Sequence, residues 1–429
     1  MINIIRFSKD MTREDIFSAV EEKLNVSSSV SEIIENVRAN GDKALYEYSE
    51  RFDRAKLDSL TVSEEEIEEA FASVDPELIR VMEDAKENIY KFHANQKRSG
   101  FIVADKDGVV LGQRVIPIEK VGLYIPGGTA SYPSSVLMNA IPAKIAGVSS
   151  IAMVSPPTYK NGKIAPAILA AAKIAGVDKI YKVGGAQAIA ALAYGTETVE
   201  RVDKIVGPGN AYVAEAKRQV FGRVSIDMIA GPSEILVIAD KTCDPRYVAA
   251  DMLSQAEHDR LASAVLVTDS EELAEKVRAE LEVQIPLLSR SEIARYSIDN
   301  YGKIIIADSL YDVIDASNEI APEHLEICTD DPFDILPRIK NAGSVFLGKY
   351  CPEPLGDYYS GPNHTLPTSG SARFSSPLSV DDFVKRSAYS YYTRDALEKV
   401  YSDVASFAEA EGLTAHARSM TIRFDGEEK

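Results

Sequence analysis

The chain has 429 residues, of which 45% are hydrophobic and 26% charged, and its formal net charge is −19. This length predicts two principal domains with smaller appendages. The negative charge argues against nucleic acid as a partner, because a phosphate backbone would be repelled. The sequence has no apolar run long enough to cross a bilayer and no secretory signal at its start, so we expect a cytoplasmic protein without a membrane partner.

Cysteine and histidine are both scarce. The three cysteines, Cys243, Cys328 and Cys351, are widely separated, which predicts reduced thiols and not a disulfide framework. A histidine-based metal site has few candidates, because only five histidines occur: His93, His258, His324, His364 and His416. We expect His93 to be structural, since no partner lies near it in the sequence.

The first 100 residues are predicted to be helical. Ser63 and Glu66 have the spacing of a capping box, and Asp75-Pro76 has the pattern of an N-cap followed by proline in the first turn. From Gly108 onwards the pattern changes towards strand. A short apolar run from Val121 then ends in Pro126-Gly127-Gly128 before a helix predicted near Ser134, and this loop suits either a bound ligand or a simple tight turn.

An internal repeat follows this loop. Residues 143–148 and residues 172–177 both read as a helix end closed by glycine, and each precedes a short apolar strand. Repetition of this unit predicts a parallel sheet with helices on its faces. Further helices are predicted at 186–195 and from 210, with strands at 204–206 and 235–238. Together they predict a doubly wound α/β body.

Three loops of this body are rich in glycine. They are Gly184-Gly185-Ala186-Gln187, Gly207-Pro208-Gly209-Asn210 and Ala230-Gly231-Pro232-Ser233, and we place all of them at the carboxyl ends of strands. Ligands of parallel sheets bind at those ends. The G-x-G-x-x-G fingerprint of dinucleotide-binding proteins is missing, so the loops alone leave dinucleotide binding open.

A second α/β series is predicted between residues 244 and 307. Its first helix, 244–258, carries Gln255 and His258, whose spacing puts both side chains on one helix face as half of a metal site or as ordinary surface. Further along, Glu323 and His324 are adjacent and could be an acid–base pair or a simple surface pair.

Residues 347–386 are unusually rich in Gly, Pro and Ser, and a long loop of this kind is usually functional or disordered. Its aromatic and histidine content argues against disorder. Asp357 in this loop is either a metal ligand or an aspartate that forms a turn. The tail is predicted to be one amphipathic helix carrying Leu397, Val400, Val404 and Phe407, followed by a break at Gly412. Such a tail resembles an arm that packs on another surface.

From about residue 20 to the C-terminus, the order and spacing of these motifs resemble the histidinol dehydrogenase family. The matching segments are Val121–Gly128, Gly184–Gln187, Gly207–Asn210, Ala230–Glu234, Ser254–His258, Pro322–Glu326, Gly356–His364 and Glu411–His416. No position that carries a functional residue in the family departs from the pattern.

The resemblance implies two incomplete Rossmann-like parallel-sheet globules with small terminal helical domains, in a homodimer. On this basis we divide the chain into an N-terminal arm (1–23), a first α/β globule on the substrate and metal side (24–123 with 233–378), a second globule on the NAD side (124–232) and a C-terminal arm packed on the partner subunit (379–429).

The resemblance also implies a reaction, in which L-histidinol is oxidised through L-histidinal to L-histidine with two NAD. The zinc ligands would be Gln255, His258, Asp357 and His416. The substrate would contact these four residues and Ser233, His324 and Glu411, while NAD would contact Tyr124, Gln187 and Asn210. Each active site would be shared by two chains. Imidazole titrates near neutrality, so His324 suits proton removal from the alcohol, and Glu323 suits activation of water.

Two other functions fit the bare ligands. A zinc hydrolase would use Glu323 as its general base and need no nicotinamide, and a metal or nucleotide sensor would need no catalysis. Neither requires three loops for a nucleotide and an acid–base pair in one chain.

Overall fold

The computed structural model describes residues 2–8, 10–17, 26–127, 131–158 and 161–425. The chain forms two compact units, one of residues 1–96 with 118–383 and one of residues 97–117 with 384–429. The first unit contains two parallel sheets and the second contains an antiparallel sheet. The predicted α/β fold class is confirmed. Among the residues described, no helix combines the length and apolar character needed to span a membrane.

The strands, in chain order, are β1 Asn3–Arg6, β2 Phe101–Lys106, β3 Val109–Pro117, β4 Lys120–Tyr124, β5 Ser150–Ser155, β6 Lys179–Lys182, β7 Lys204–Val206, β8 Ser225–Ile226, β9 Glu234–Ala239, β10 Ser263–Thr268, β11 Lys303–Ile306, β12 His324–Cys328, β13 Ser344–Leu347 and β14 Val384–Tyr392.

The α-helices are α1 Arg13–Ile16, α2 Ser27–Tyr48, α3 Glu64–Ser73, α4 Pro76–Ala94, α5 Pro133–Ala146, α6 Pro166–Ala175, α7 Gly185–Tyr194, α8 Ala211–Val220, α9 Pro245–Ala256, α10 Glu271–Gln284, α11 Ser291–Tyr301, α12 Leu310–Ile320, α13 Pro332–Ile335, α14 Glu353–Tyr358, α15 Arg394–Glu398, α16 Tyr401–Ala410 and α17 Thr414–Thr421. A π-helical turn covers Ser49–Asp53, and short 3₁₀ turns cover Ile285–Leu287, Leu336–Arg338, Ser371–Arg373, Val380–Phe383 and Ile422–Phe424.

The smaller parallel sheet has five strands in the order β6-β5-β4-β7-β8. The repeat that predicted it is confirmed, because α5 and α6 each end at a glycine in the left-handed conformation, Gly147 and Gly176, before the next strand begins. From β4 the chain adds β5 and β6 on one side and then β7 and β8 on the other, so the switch point of this Rossmann-type sheet lies between the parallel neighbours β4 and β7. The predicted helix caps at Ser63 and Asp75 are also confirmed.

The larger parallel sheet has six strands in the order β1-β11-β10-β9-β12-β13. Strands β9 to β13 repeat the order of the smaller sheet. Strand β1 pairs in parallel with β11, so the prediction that the first 100 residues are entirely helical is wrong at Asn3–Arg6. Every residue of β9 and of β10 is buried. Helices therefore cover both faces of the sheet, as in other parallel sheets.

The second unit combines the antiparallel sheet β14-β3-β2 with helices α15 to α17. The sequence did not predict β14. The tail helix that was predicted as one element is two, because Val400 leaves the helical conformation with φ −129° and ψ −10° between α15 and α16. The predicted domain boundaries stay predictions, although the boundary between residues 123 and 124 falls inside β4, which belongs to the five-stranded sheet.

Residues 347–386 are more regular than predicted. Helix α14 begins just after Pro352, and it carries Asp357 in its last turn. The expectation of a long structureless loop is therefore wrong for this part of the segment. Proline and glutamate at the start of a helix are favourable there, since proline needs no helical partner for its nitrogen and an acidic side chain interacts with the helix dipole.

Candidate active site

Polar side chains gather at the amino edge of the six-stranded sheet. Ser233 directly precedes β9, and Glu323 and His324 stand at the start of the neighbouring strand β12. The starts of parallel strands share one edge, which brings these residues together. The 230–233 loop follows the carboxyl end of β8, as expected, but it also leads into β9, so Ser233 itself stands at the amino end of β9.

His324 is held by the backbone of the adjacent strand. Its side chain is buried, and Nδ1 lies 3.0 Å from the backbone oxygen of Glu234. Nδ1 therefore carries the proton and donates it to that oxygen, which leaves the lone pair on Nε2. Nε2 makes no hydrogen bond to the described residues. Burial lowers the pKa of His324, so the imidazole is neutral and able to accept a proton.

The backbone of β9 also holds the side chain of Glu323. Its Oε2 accepts a hydrogen bond from the backbone nitrogen of Glu234 at 2.9 Å, and it lies 3.6 Å from Nδ1 of His324. Burial raises the pKa of Glu323 well above its ordinary value, and the nearby carboxylates of Glu234, Asp357 and Glu353 add to the effect. A carboxyl group with a raised pKa accepts a proton more readily than an exposed glutamate does.

Glu353 is a site residue that the sequence analysis missed. It is 1% exposed, and its Oε1 lies 3.7 Å from Nε2 of His324. The Oε2 atom accepts from the hydroxyl of Ser254 at 3.2 Å, whereas Oε1 has no hydrogen-bond partner among the described residues. Two unpartnered buried acceptors that face each other leave room for a group that donates to both. The Pro352-Glu353 pair is typical of the start of a helix, and this pattern is the signal in the sequence that could have pointed to Glu353.

Asp357 and His364 lie beside this pair. One oxygen of Asp357 is 3.6 Å from Nδ1 of His364, and the same nitrogen donates to the backbone oxygen of Asp357 at 3.1 Å. Burial and the carboxylate of Glu353 raise the pKa of Asp357 well above its ordinary value. Burial lowers the pKa of His364 to about 4. The Nε2 atom of His364 is 3.2 Å from the hydroxyl of Ser135 at the start of α5.

Gln255 and His258 do not share one helix face. Helix α9 ends at Ala256, so Gln255 is in its last turn and His258 lies two residues beyond the end. A hydrogen bond from the backbone nitrogen of His258 to the backbone oxygen of Gln255, 3.0 Å long, continues the turn. Gln255 is 1% exposed and its Nε2 has no partner among the described residues. Because the two ends of an amide have nearly the same shape, a half-turn would put the oxygen in this position.

The donor atoms suit a metal ion. His324, Glu353 and Asp357 each offer an atom within 4.8 Å of the other two, and such a group could hold a cation. The raised pKa of the buried Asp357 carboxylate, together with the unpartnered amide of Gln255, fits a bound cation that would supply the missing positive charge. Asp357 belongs both to this group and to the ligand set implied by the resemblance. The set Gln255, His258, Asp357 and His416 stays a prediction.

Glu411 and His416 belong to the second unit. Glu411 caps the end of α16 and His416 lies in the first turn of α17, and both side chains are exposed. Their predicted part in the site stays a prediction.

The predicted dinucleotide residues lie at the carboxyl edge of the five-stranded sheet. Tyr124 ends β4, Gln187 lies in the first turn of α7 and Asn210 caps α8. The Tyr124 hydroxyl is buried and accepts from the backbone nitrogen of Gly185 at 3.1 Å. Burial raises the pKa of Tyr124 to about 12. The structure thus brings the three predicted residues to one edge, but Gly128, part of the first predicted loop, lies outside the described residues.

Known proteins of one family resemble this chain along nearly its whole length. The family model described as histidinol dehydrogenase matches residues 18–424. A histidinol dehydrogenase from Clostridium acetobutylicum is 55% identical over 431 residues, which cover 99% of this chain and 100% of that protein. One from Bacillus cereus is 56% identical over 403 residues, which cover 94% of each chain. The crystal structure of a histidinol dehydrogenase from Elizabethkingia anophelis superposes with a TM-score of 0.93 at 41% identity, covering 99% of this chain and 98% of that one.

The two parallel sheets, the buried imidazole–carboxylate pair and these similarities define an α/β oxidoreductase. The match extends over nearly the whole chain. The chain belongs to the histidinol dehydrogenase family.

Proposed function

We propose that this enzyme oxidises L-histidinol through L-histidinal to L-histidine, the last steps of histidine biosynthesis, with two NAD and one water. In the first step the alcohol loses a hydride and a proton; in the second the aldehyde adds water and the hydrate loses a hydride and a proton. The observation that carries the proposal is the buried pair Glu323 and His324, whose fixed geometry suits two proton transfers.

His324 removes the proton of the alcohol. Its Nδ1 proton is donated to the backbone oxygen of Glu234, so Nε2 is the atom that accepts. The imidazolium that forms has Glu353 at 3.7 Å, and this carboxyl group stabilises the new positive charge. A substrate hydroxyl beside Nε2 would donate its one proton to this nitrogen and so provide the partner that Nε2 lacks among the described residues.

Glu323 activates the water that attacks the aldehyde. The backbone nitrogen of Glu234 holds one of its oxygens, so the carboxyl group keeps one orientation through both half-reactions. Its raised pKa makes it a stronger base than an exposed glutamate once it is ionised.

When bound, zinc would hold and orient the imidazole and amine of the substrate, and NAD would take up the hydride. Gln255, His258 and Asp357 of one chain would hold the zinc together with the partner subunit's His416, and Ser233 and the partner's Glu411 would contact the substrate. Tyr124, Gln187 and Asn210 would border the dinucleotide. The unpartnered Gln255 amide and the raised pKa of Asp357 support the metal assignment.

The test is to incubate the purified protein with L-histidinol, NAD and zinc, and to follow reduced nicotinamide by absorbance and histidine by chromatography. Two reduced NAD for each histidine formed is the expected result. Amino-alcohol oxidation without histidine would contradict the second step. Turnover without nicotinamide would favour a zinc hydrolase, and binding without turnover would favour a sensor.

A further inference from the structure

We propose that Lys217 and Asp227 form a buried clamp on Gly207 that positions the 207–210 loop for the dinucleotide. The inference rests on the proposed function, because it concerns the loop that borders NAD. Both clamp residues are positioning residues: they act through Gly207 and not by contact with the nucleotide. Neither belongs to a motif that the sequence analysis selected.

The clamp holds both polar groups of one backbone residue. The ammonium of Lys217 donates to the backbone oxygen of Gly207 at 3.0 Å, and the backbone nitrogen of Gly207 donates to Oδ2 of Asp227 at 2.7 Å. Lys217 and Asp227 also form an ion pair through Oδ1, with side chains only 3% and 1% exposed. Gly207 is therefore fixed from two sides, by α8 and by the segment that follows β8.

Gly207 needs such a restraint. Its φ is +116°, a conformation that glycine adopts easily but that does not by itself fix the neighbouring peptides. A Cβ at this position would come within 2.1 Å of the backbone oxygen of Tyr124, so the ends of β4 and β7 are pressed together there. The Tyr124 hydroxyl also holds the backbone nitrogen of Gly185, so the three dinucleotide-side segments lie close together at the end of β4.

The clamp also determines where Asn210 begins α8. The Asn210 side-chain oxygen accepts from the backbone nitrogens of Tyr212 and Val213, which leaves its NH2 group as the end that can donate to a ligand. Lys217 lies two turns further along the same helix. The contact between Lys217 and Gly207 thus closes the helix back onto the loop that precedes it, and so fixes the direction in which Asn210 points.

A buried ion pair is not by itself evidence for stability. Removing two charges from water costs several kcal/mol per ion, and apolar replacements of such pairs are often neutral or stabilising. A positioning role and a merely stabilising role therefore make different predictions for a variant that removes the charges but keeps the volume.

The test measures NAD affinity directly, by calorimetric titration of the zinc-loaded enzyme, together with kinetics. Lys217→Met removes the donor to Gly207, and Lys217→Met/Asp227→Asn also avoids leaving an unpaired buried charge. Each should weaken NAD binding about tenfold, or about 1.4 kcal/mol, and raise the KM for NAD in parallel. The KM for histidinol should change less than about twofold, because the substrate side lies on the other sheet.

The matched control is Lys204→Met. Lys204 starts β7, the strand that ends just before Gly207, and its ammonium pairs with Asp382 at 3.0 Å at the opposite edge of the sheet. This variant should lose thermal stability and keep the NAD affinity of the wild type. If the double variant folds and binds NAD as the wild type does, or if Lys204→Met weakens NAD binding equally, the clamp is overturned. A wild type that does not bind NAD would overturn the proposed function as well.

Discussion

Replacing Glu323 with glutamine should separate the two half-reactions. The Gln side-chain oxygen can still accept from the backbone nitrogen of Glu234, a bond of 2.9 Å in the wild type, so the variant should fold and keep its site geometry. What it loses is the base. Because only the second half-reaction consumes water, oxidation of supplied histidinal should fall on the order of 10²–10⁴-fold. Conversion of histidinol to histidinal should change less than about threefold, since His324 takes that proton.

The assay is rapid mixing of excess enzyme with histidinol or with histidinal, following the first reduced NAD by absorbance. Glu326→Gln is the matched control: it replaces another buried carboxyl group of β12, and its amide oxygen can still accept from the backbone nitrogen of Glu353, 2.7 Å away. This control should keep the ratio of the two rates. Burial raises the pKa of Glu323, so wild-type aldehyde oxidation should rise with pH as the base ionises, and the glutamine variant should lack this rise. Equal losses in both half-reactions for Glu323→Gln would refute the assignment.

Three further predictions concern the metal, the dimer and stability. Exhaustive chelation should abolish turnover and zinc should restore it, with weaker zinc binding at acidic pH because histidine ligands must be deprotonated; an unchanged rate after chelation would contradict the metal assignment. Mixed dimers of His258→Asn and His416→Asn chains, each inactive alone, should regain activity at up to about one site in two, whereas assembled heterodimers without turnover would exclude shared sites. Burial lowers the pKa of His93, so the unfolded chain binds the extra proton and the free energy of unfolding should fall as pH drops below about 6.5. In urea titrations His93→Asn should flatten this dependence, and an unchanged slope would contradict it.

The five-stranded sheet could be predicted from the sequence because its signals are local. Each glycine that closes α5 or α6 lies at the point where a helix changes to a strand, and the apolar runs that follow are short enough to be strands. Strand β1 could not be predicted in this way. Asn3–Arg6 has only four residues, and its partner β11 lies about 300 residues away, so the sheet and not the local pattern determines its conformation.

The sequence could point to candidate site residues but not to their geometry. The Glu323-His324 pair was found because the two types are adjacent and chemically suited, whereas its position at the amino edge depends on which strand follows which loop. The position of Ser233 at the start of β9 could not be predicted for the same reason: strand β8 before it belongs to one sheet and β9 after it belongs to the other, and no residue type marks that change. His258 was placed on a helix because its spacing from Gln255 is helical, but Glu257 already caps α9.

The residues proposed for the substrate lie at the amino ends of strands in one sheet, and those proposed for NAD lie at the carboxyl ends of strands in the other. Glu323 and His324 stand where β12 begins, so the substrate side uses an amino edge, while the Gly207 loop stands where β7 ends and uses a carboxyl edge. Within the described residues, a 3.2 Å contact between His364 and Ser135 links the substrate side to α5 of the dinucleotide side. A reaction with two hydride transfers must exchange its nucleotide while it retains the aldehyde. Glu323 and His324 are held by the backbone of Glu234 in β9, so in the proposed reaction NAD would be able to leave without moving these two side chains.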